Sequence, residues 1–327
     1  MIPKKLASSL LIVALALPGC GLVLENRIER REAAAEAAYP SEGRFVEVAG
    51  RRVHYVQEGR GPDLVLIHGA SGSTRDFTAG FMERLTDRYR VTAFDRPGLG
   101  YSDNVSEAYE GPFNTRSASP AEQAAMLHRA AGMIGIENPI VMGHSYGGAV
   151  AMAWGLRHDP AALVIVSGAT QPWPGDLGLL YNVTGSSLGG AALVPLLTAF
   201  APEAQVERTI ASIFEPQEPP PGYEAHIGAA LSLRRASFRT NARQVTGLRP
   251  HVTAMSRDYP ALRLPVEIVH GTADTIVPID VHSRPLARQI PGARLTELPG
   301  IGHMPHHVSA GAVVAAIDRA ARQAGLR

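Results

Sequence analysis

The chain has 327 residues, 45% hydrophobic and 19% charged, which is ample for a large buried core. Lys and Arg number 31 against 30 Asp and Glu, so no whole-chain field draws it to a polyanion, and no nucleic-acid partner is expected. A single cysteine, Cys20, excludes an internal disulfide and a cysteine-rich zinc module.

The first element in chain order reads as an export signal. Lys4 and Lys5 precede an apolar run from Leu6 to Leu17, which has the length of a secretory core and is too short to cross a bilayer. The run ends in Leu17-Pro18-Gly19-Cys20, which resembles the lipobox of bacterial lipoproteins. That resemblance implies that residues 1–19 are a leader cut before Cys20, whose thiol then carries lipid. An uncut anchor from Leu6 to Leu24, or simple secretion, are the alternatives. All three export the rest of the chain, and the first two tether it to a membrane of the bacterial envelope. Glu25 to Ala38 mixes charges among alanines, a composition of high helix propensity, and reads as a solvated spacer within a linker of residues 20–42.

After Pro40 strand and helix signals alternate, which predicts an α/β fold with a mostly parallel sheet flanked by helices. Phe45 to Val48 and Arg51 to Glu58 alternate apolar and polar around Ala49-Gly50, as in an antiparallel edge hairpin. Short apolar runs follow, typical of buried parallel strands: Leu64 to Ile67, Val91 to Phe94, Ile140 to Met142, Leu163 to Ser167, Val266 to His270 and Arg294 to Leu298. Helical patterns cover Asp76 to Arg88, Ala121 to Ile134, Tyr146 to Arg157, Val281 to Ile290 and Val308 to Ala324. So long an interval as 171–262 is unlike a structureless loop, and its apolar positions predict a helical cap inserted into a core of residues 43–170 and 263–327.

The chemistry centres on Gly143-His144-Ser145-Tyr146-Gly147, a G-x-S-x-G string between a strand and a helix. Glycines at both ends permit the sharp turn that presents Ser145 Oγ at the carboxyl edge of the sheet. A serine hydroxyl needs a base with a pKa near the working pH, which points to histidine. Position selects His303, in Gly300-Ile301-Gly302-His303 after the last strand, and Asp274, in Gly271-Thr272-Ala273-Asp274 after the strand before it. The order is Ser, acid, His.

These motifs, with His68-Gly69-Ala70 and Asp95-Arg96-Pro97-Gly98-Leu99-Gly100-Tyr101-Ser102, identify the chain as a member of the α/β-hydrolase superfamily from about Gly43 onward. The resemblance implies Ser145 as nucleophile, His303 as acid and base, Asp274 as the carboxylate holding His303, and an oxyanion hole at the N–H groups of Ala70 and Tyr146. Relatives that dehalogenate or open epoxides use aspartate at the elbow, so Ser145 argues against both activities. Asp95 and Ser102 are expected to brace loops. Asp280 is a rival acid but reads better as the cap of the next helix. His306 and His307 could suggest a metal cluster, yet Pro305 interrupts a helical ligand spacing. His68 and His144 read as packed or orienting residues, Met152 and Trp154 as core, and Trp173 as a candidate substrate contact.

The expected function is a serine hydrolase acting on an ester or related acyl bond of a small molecule, through an acyl-enzyme and without cofactor or metal. The alternatives are a cofactor-free haloperoxidase or perhydrolase, a carbon–carbon bond hydrolase, and a non-catalytic envelope binding protein.

Overall fold

The computed structural model describes the backbone of residues 4–327 and the side chains of residues 21–327. The side chains of the leader and of Cys20 lie outside the described residues. Helix α1 (Lys4–Ala38) opens the chain. Strands β1 (Arg44–Val48) and β2 (Arg51–Gly59) form the antiparallel hairpin, with Ala49 and Gly50 both at positive φ.

There follow β3 (Asp63–Ile67), α2 (Arg75–Thr78), β4 (Arg90–Phe94), α3 (Pro120–Met133), β5 (Ile140–His144), α4 (Tyr146–Arg157) and β6 (Ala162–Val166). The sequence pattern between β3 and β4 predicts one helix, but α2 has only four residues. Gly80, at φ 85°, breaks it, and a short 3-10 turn at Met82–Arg84 carries the chain on. Phe77, Phe81, Met82 and Leu85 are nevertheless all buried on one face, which is why the apolar spacing reads as a single helix. Helix α3 starts where Ser119 and Glu122 form a reciprocal capping box with Pro120 in the first turn.

Between β6 and β7 (Val266–Gly271) lie α5 (Leu179–Gly185), α6 (Ser187–Phe200), α7 (Glu203–Phe214), α8 (Tyr223–Ile227), α9 (Ala229–Ser232) and α10 (Arg235–Met255). The chain closes with α11 (Ser283–Gln289), β8 (Arg294–Leu298), α12 (Pro305–Val308) and α13 (Ala310–Gln323).

The sheet has the order β1-β2-β4-β3-β5-β6-β7-β8, with β2 antiparallel to its neighbours and every other pair parallel. Alternation along each strand builds two cores. Val65, Ile67, Val141, Leu163 and Ile165 pack against α3, α4 and α10 on one face. Leu64, Leu66, Met142, Val164 and Val166 pack against Phe77, Phe81 and α13 on the other. Chain direction across the sheet diverges between β3 and β5, and the crevice beyond their carboxyl ends is where α/β sheets place ligands.

The segment read as a solvated spacer is instead docked. Leu24, Ile28, Arg31, Glu32 and Ala35 make one partly or fully buried stripe of α1, and Ile28 is wholly covered. Arg27 Nε donates to Ala199 O (2.7 Å), and Arg31 donates to Ala199 O (3.1 Å) and Ala201 O (3.0 Å). Ala199 lies in the last turn of α6 and Ala201 caps it, where carbonyls have no intrahelical donors. Glu25 and Glu32 pair with Arg235, and Glu36 with Arg234. The partners lie about 170 to 210 positions downstream, beyond the reach of any local sequence pattern.

Candidate active site

Ser145 sits at the junction of β5 and α4 with φ 54° and ψ −119°, a conformation costly for a side-chain-bearing residue. The turn closes only around glycines. A Cβ at Gly143 would lie 2.1 Å from Gly147 O, and one at Gly147 would lie 2.2 Å from Ile67 O. Ser145 N donates to Val166 O (3.0 Å) and Ser145 O accepts from Ala169 N (3.0 Å), so β6 and the chain after it hold the elbow.

His303 Nδ1 donates to Asp274 Oδ2 (2.7 Å), which leaves Nε2 free to act as a base. Asp274 Oδ1 accepts from Ile276 N (2.9 Å) and Val277 N (2.8 Å). Burial pushes the Asp274 pKa up, but hydrogen bonds from His270 and His303 outweigh it and hold the carboxyl well below its usual range. His270 is a partner that sequence reasoning misses. Its Nε2 lies 3.1 Å from Asp274 Oδ2 and 2.7 Å from Val277 O, and Ser283 Oγ meets its Nδ1 at 2.6 Å. The sole sequence signal for it is its place at the end of β7, four residues before the acid.

The ring of His144 lies 4.9 Å from that of His303, and His144 Nε2 bonds His303 O (2.9 Å), so the elbow and the histidine loop adjoin. Among the described residues no hydrogen bond joins Ser145 Oγ to His303, a bond that commonly tightens only around a bound carbonyl. Ser145 is 7% exposed and His303 4%, so both are almost fully covered.

Tyr146 is the first residue of α4, and its N–H belongs to the first turn, which has no intrahelical acceptor and carries the positive end of the helix dipole. Gly69 passes so close that a Cβ there would stand 3.1 Å from Ser145 Cβ, which sets Ala70 beside Ser145. The carbonyl of Gly69 belongs to the same peptide unit as the Ala70 N–H. It accepts from His68 Nδ1 (2.8 Å) and from Arg96 Nη2 (3.1 Å). Arg96 N donates to His68 Nε2 (2.9 Å), which assigns the proton to Nδ1, and burial lowers the His68 pKa to about 4, keeping it neutral. The fully buried Arg96 guanidinium also lies 4.1 Å from the Tyr146 ring centroid and donates to Gln123 and Gln244 (2.9 Å each). Arg96 therefore braces both the Gly69–Ala70 peptide and the Tyr146 side chain. Its motif is visible in the sequence, but its role is not.

Asp95 accepts from Thr74 N (2.6 Å), Tyr101 N (2.8 Å) and His54 Nδ1 (2.7 Å), and Ser102 Oγ donates to Asp95 O (2.8 Å). Both tie loops together. Asp280 is exposed and pairs with Arg284; α11 begins at Ser283, so Asp280 is not its cap. The short Pro278–His282 turn displaces the helix start. Met152 and Trp154 are fully buried, and Trp173 packs beside His282.

His306 and His307 do converge, on a carboxylate that sequence reasoning does not pair with them. Asp76 Oδ2 meets His306 Nε2 (3.2 Å), and Asp76 Oδ1 meets His307 Nε2 (2.9 Å) and the Tyr223 hydroxyl (2.9 Å). Burial opposes ionisation of Asp76, but the adjoining His306 and the hydrogen bonds from both histidines hold its carboxyl well below the ordinary range. The three side chains could ligate a cation. Their mutual bonds already satisfy the atoms involved, and they join α2, α8 and α12 beneath the His303 loop.

A model of the alpha/beta hydrolase family matches residues 64–317. The chain belongs to the alpha/beta hydrolase family. Among the relatives of this hydrolase, haloalkane dehalogenase 2 of Mycobacterium tuberculosis is 25% identical over 85% of this chain and 94% of its own. The 2-hydroxymuconate semialdehyde hydrolase of Pseudomonas putida is 27% identical over 81% of this chain and 88% of its own. Among solved structures, a bacterial membrane phospholipase A superposes with a TM-score of 0.66 at 20% identity, covering 98% of this chain and 99% of that one, which takes in most of α1.

Proposed function

We propose that this hydrolase cleaves an ester or related acyl bond through Ser145, His303 and Asp274. The observation that carries the reading is the Asp274–His303 pair set beside a serine held in a strained turn. His303 Nε2 takes the Ser145 proton as Oγ attacks the carbonyl carbon, and Asp274 holds the imidazole and the imidazolium that forms. The oxyanion settles between the Ala70 and Tyr146 N–H groups, each worth about 3 kcal/mol in comparable sites. His303 then protonates the departing alcohol. Water, deprotonated by His303, cleaves the acyl-enzyme and releases the acid.

The serine at the elbow opposes dehalogenation despite the dehalogenase relative. Carbon–carbon bond hydrolysis is the second reading, favoured by the 2-hydroxymuconate semialdehyde hydrolase relative. Labelling of Ser145 by a fluorophosphonate, with turnover of p-nitrophenyl esters, tests the first reading. Bromination dependent on hydrogen peroxide without ester turnover would replace it with a haloperoxidase, and an unlabelled Ser145 would leave a binding protein. We further propose that the N-terminal segment tethers the enzyme to an envelope membrane, with Cys20 as the lipid-bearing residue after loss of residues 1–19. The mass of the mature protein distinguishes this from an intact apolar anchor.

A further inference from the structure

The cap carries a surface unlike the rest of the molecule. Residues 179–200 contain no Asp, Glu, Lys or Arg. On that stretch Leu179, Leu180, Leu188, Leu196 and Phe200 are 46% to 79% exposed. Leu22 and Val23 of α1 add two more exposed apolar side chains, and α1 lies against α6 through Arg27 and Arg31. Of eleven large apolar side chains exposed among the described residues, these are seven, so the exposed apolar surface is concentrated here rather than scattered. The bent pair α5 and α6 together has the length and composition of membrane-compatible helix.

Two further facts say what covers this face. Glu25, already clamped by Arg235, stands five positions after Cys20, about 8 Å of helix rise. A membrane attachment at Cys20, or through the apolar run before it, therefore brings α6 to the bilayer with it. Helix α5 also packs against α10, whose Asn241 holds the loop that follows Ala70. Ser71 follows Ala70, and Asn241 of α10 accepts from Ser71 N (2.7 Å).

We propose that the uncharged face of α5 and α6, continued by Leu22 and Val23, rests in the boundary between lipid headgroups and acyl chains, and that the substrate class is the acyl esters of membrane lipids. This inference rests on the proposed tether and acyl-hydrolase reading. An acyl chain rising beside α5 and α10 would arrive at the Ser71 loop next to Ala70, on the way to Ser145. The reaction balances as ester plus water giving fatty acid and the deacylated alcohol.

The test uses the full chain in vesicles of phosphatidylcholine and phosphatidylglycerol. The added indole fluorescence of Leu188→Trp, beyond that of Trp154 and Trp173, is expected to be quenched by lipids brominated on the acyl chain, whereas that of Met133→Trp on α3 is not. Leu188→Ser with Leu196→Ser is expected to lower hydrolysis of vesicle lipid about tenfold, through lost apolar burial in the bilayer, with soluble p-nitrophenyl butyrate turnover unchanged. No quenching in the Leu188→Trp variant, or an equal loss on both substrates in the serine variant, overturns the proposal. So does a detergent-solubilised dimer that the serine substitutions dissociate, which would make the face a contact between copies. Absence of turnover on the soluble ester, with the Leu188→Trp variant quenched, would instead overturn the hydrolase reading alone.

Discussion

The carboxyl edge of the sheet and the surface formed by the cap with α1 are held by different means. At the edge, short-range backbone geometry dominates: the Ser145 turn fits only between Gly143 and Gly147, and Asp274 is fixed by N–H groups two and three residues away. In the cap, long side chains reach across great sequence distances. Arg27 and Arg31 finish α6, Arg234 and Arg235 hold α1, and Asn241 holds Ser71. The edge is fixed by local strain that tolerates little change, and the cap surface by contacts that can be undone singly.

Substitutions at the two regions should separate those properties. Ser145→Ala and His303→Ala are each expected to lower kcat for a p-nitrophenyl ester by similar factors, on the order of 10⁴ or more, because the proposed triad would act as a unit. A mild His303→Ala loss would transfer the role of base to His306 or His307. Arg96→Met should lower kcat about 10- to 100-fold with a smaller change in KM, since the Gly69–Ala70 peptide loses its brace. Partial recovery in Arg96→Lys would distinguish positioning from collapse of the core.

His270→Ala removes one hydrogen bond from Asp274 and should destabilise the protein by about 1–3 kcal/mol at pH 7, read from urea unfolding. The sign follows from the depressed Asp274 pKa. Its stabilisation is present above the unfolded value of about 3.9 and is lost as pH falls through the folded one, so the difference between variant and wild type should shrink on acidification. Least of all, Arg27→Ala with Arg31→Ala should speed amide hydrogen exchange in the last turn of α6 while changing soluble-ester kcat less than about threefold. An equal effect on catalysis would join the two regions and break the contrast.

How much of this the sequence reveals follows the same division. The sheet, its hairpin and the elbow are legible because each depends on spacing within a few residues: alternation around Ala49-Gly50, apolar runs of strand length, glycines two positions either side of Ser145. The Asp274–His303 pairing is legible through position after consecutive strands. Illegible are His270, which acts through a strand end, and Arg96, whose burial between two glutamines leaves no periodic mark. The docking of α1 escapes a sequence reading because its buried stripe is thin, with alanine, arginine and glutamate where a core helix would show leucine. Asp76 meets His306 and His307 across about 230 positions, a distance at which no single-sequence pattern carries information.

The completion of α6 by α1 also bears on how the protein is made. Arg27 leaves the ribosome some 172 residues before the Ala199 carbonyl it will cap. Helix α1 is therefore synthesised well before the cap helix whose end it finishes. A piece begun after Ala38 would be translated without that earlier half, and its α6 would mature with three fewer donors than the chain supplies.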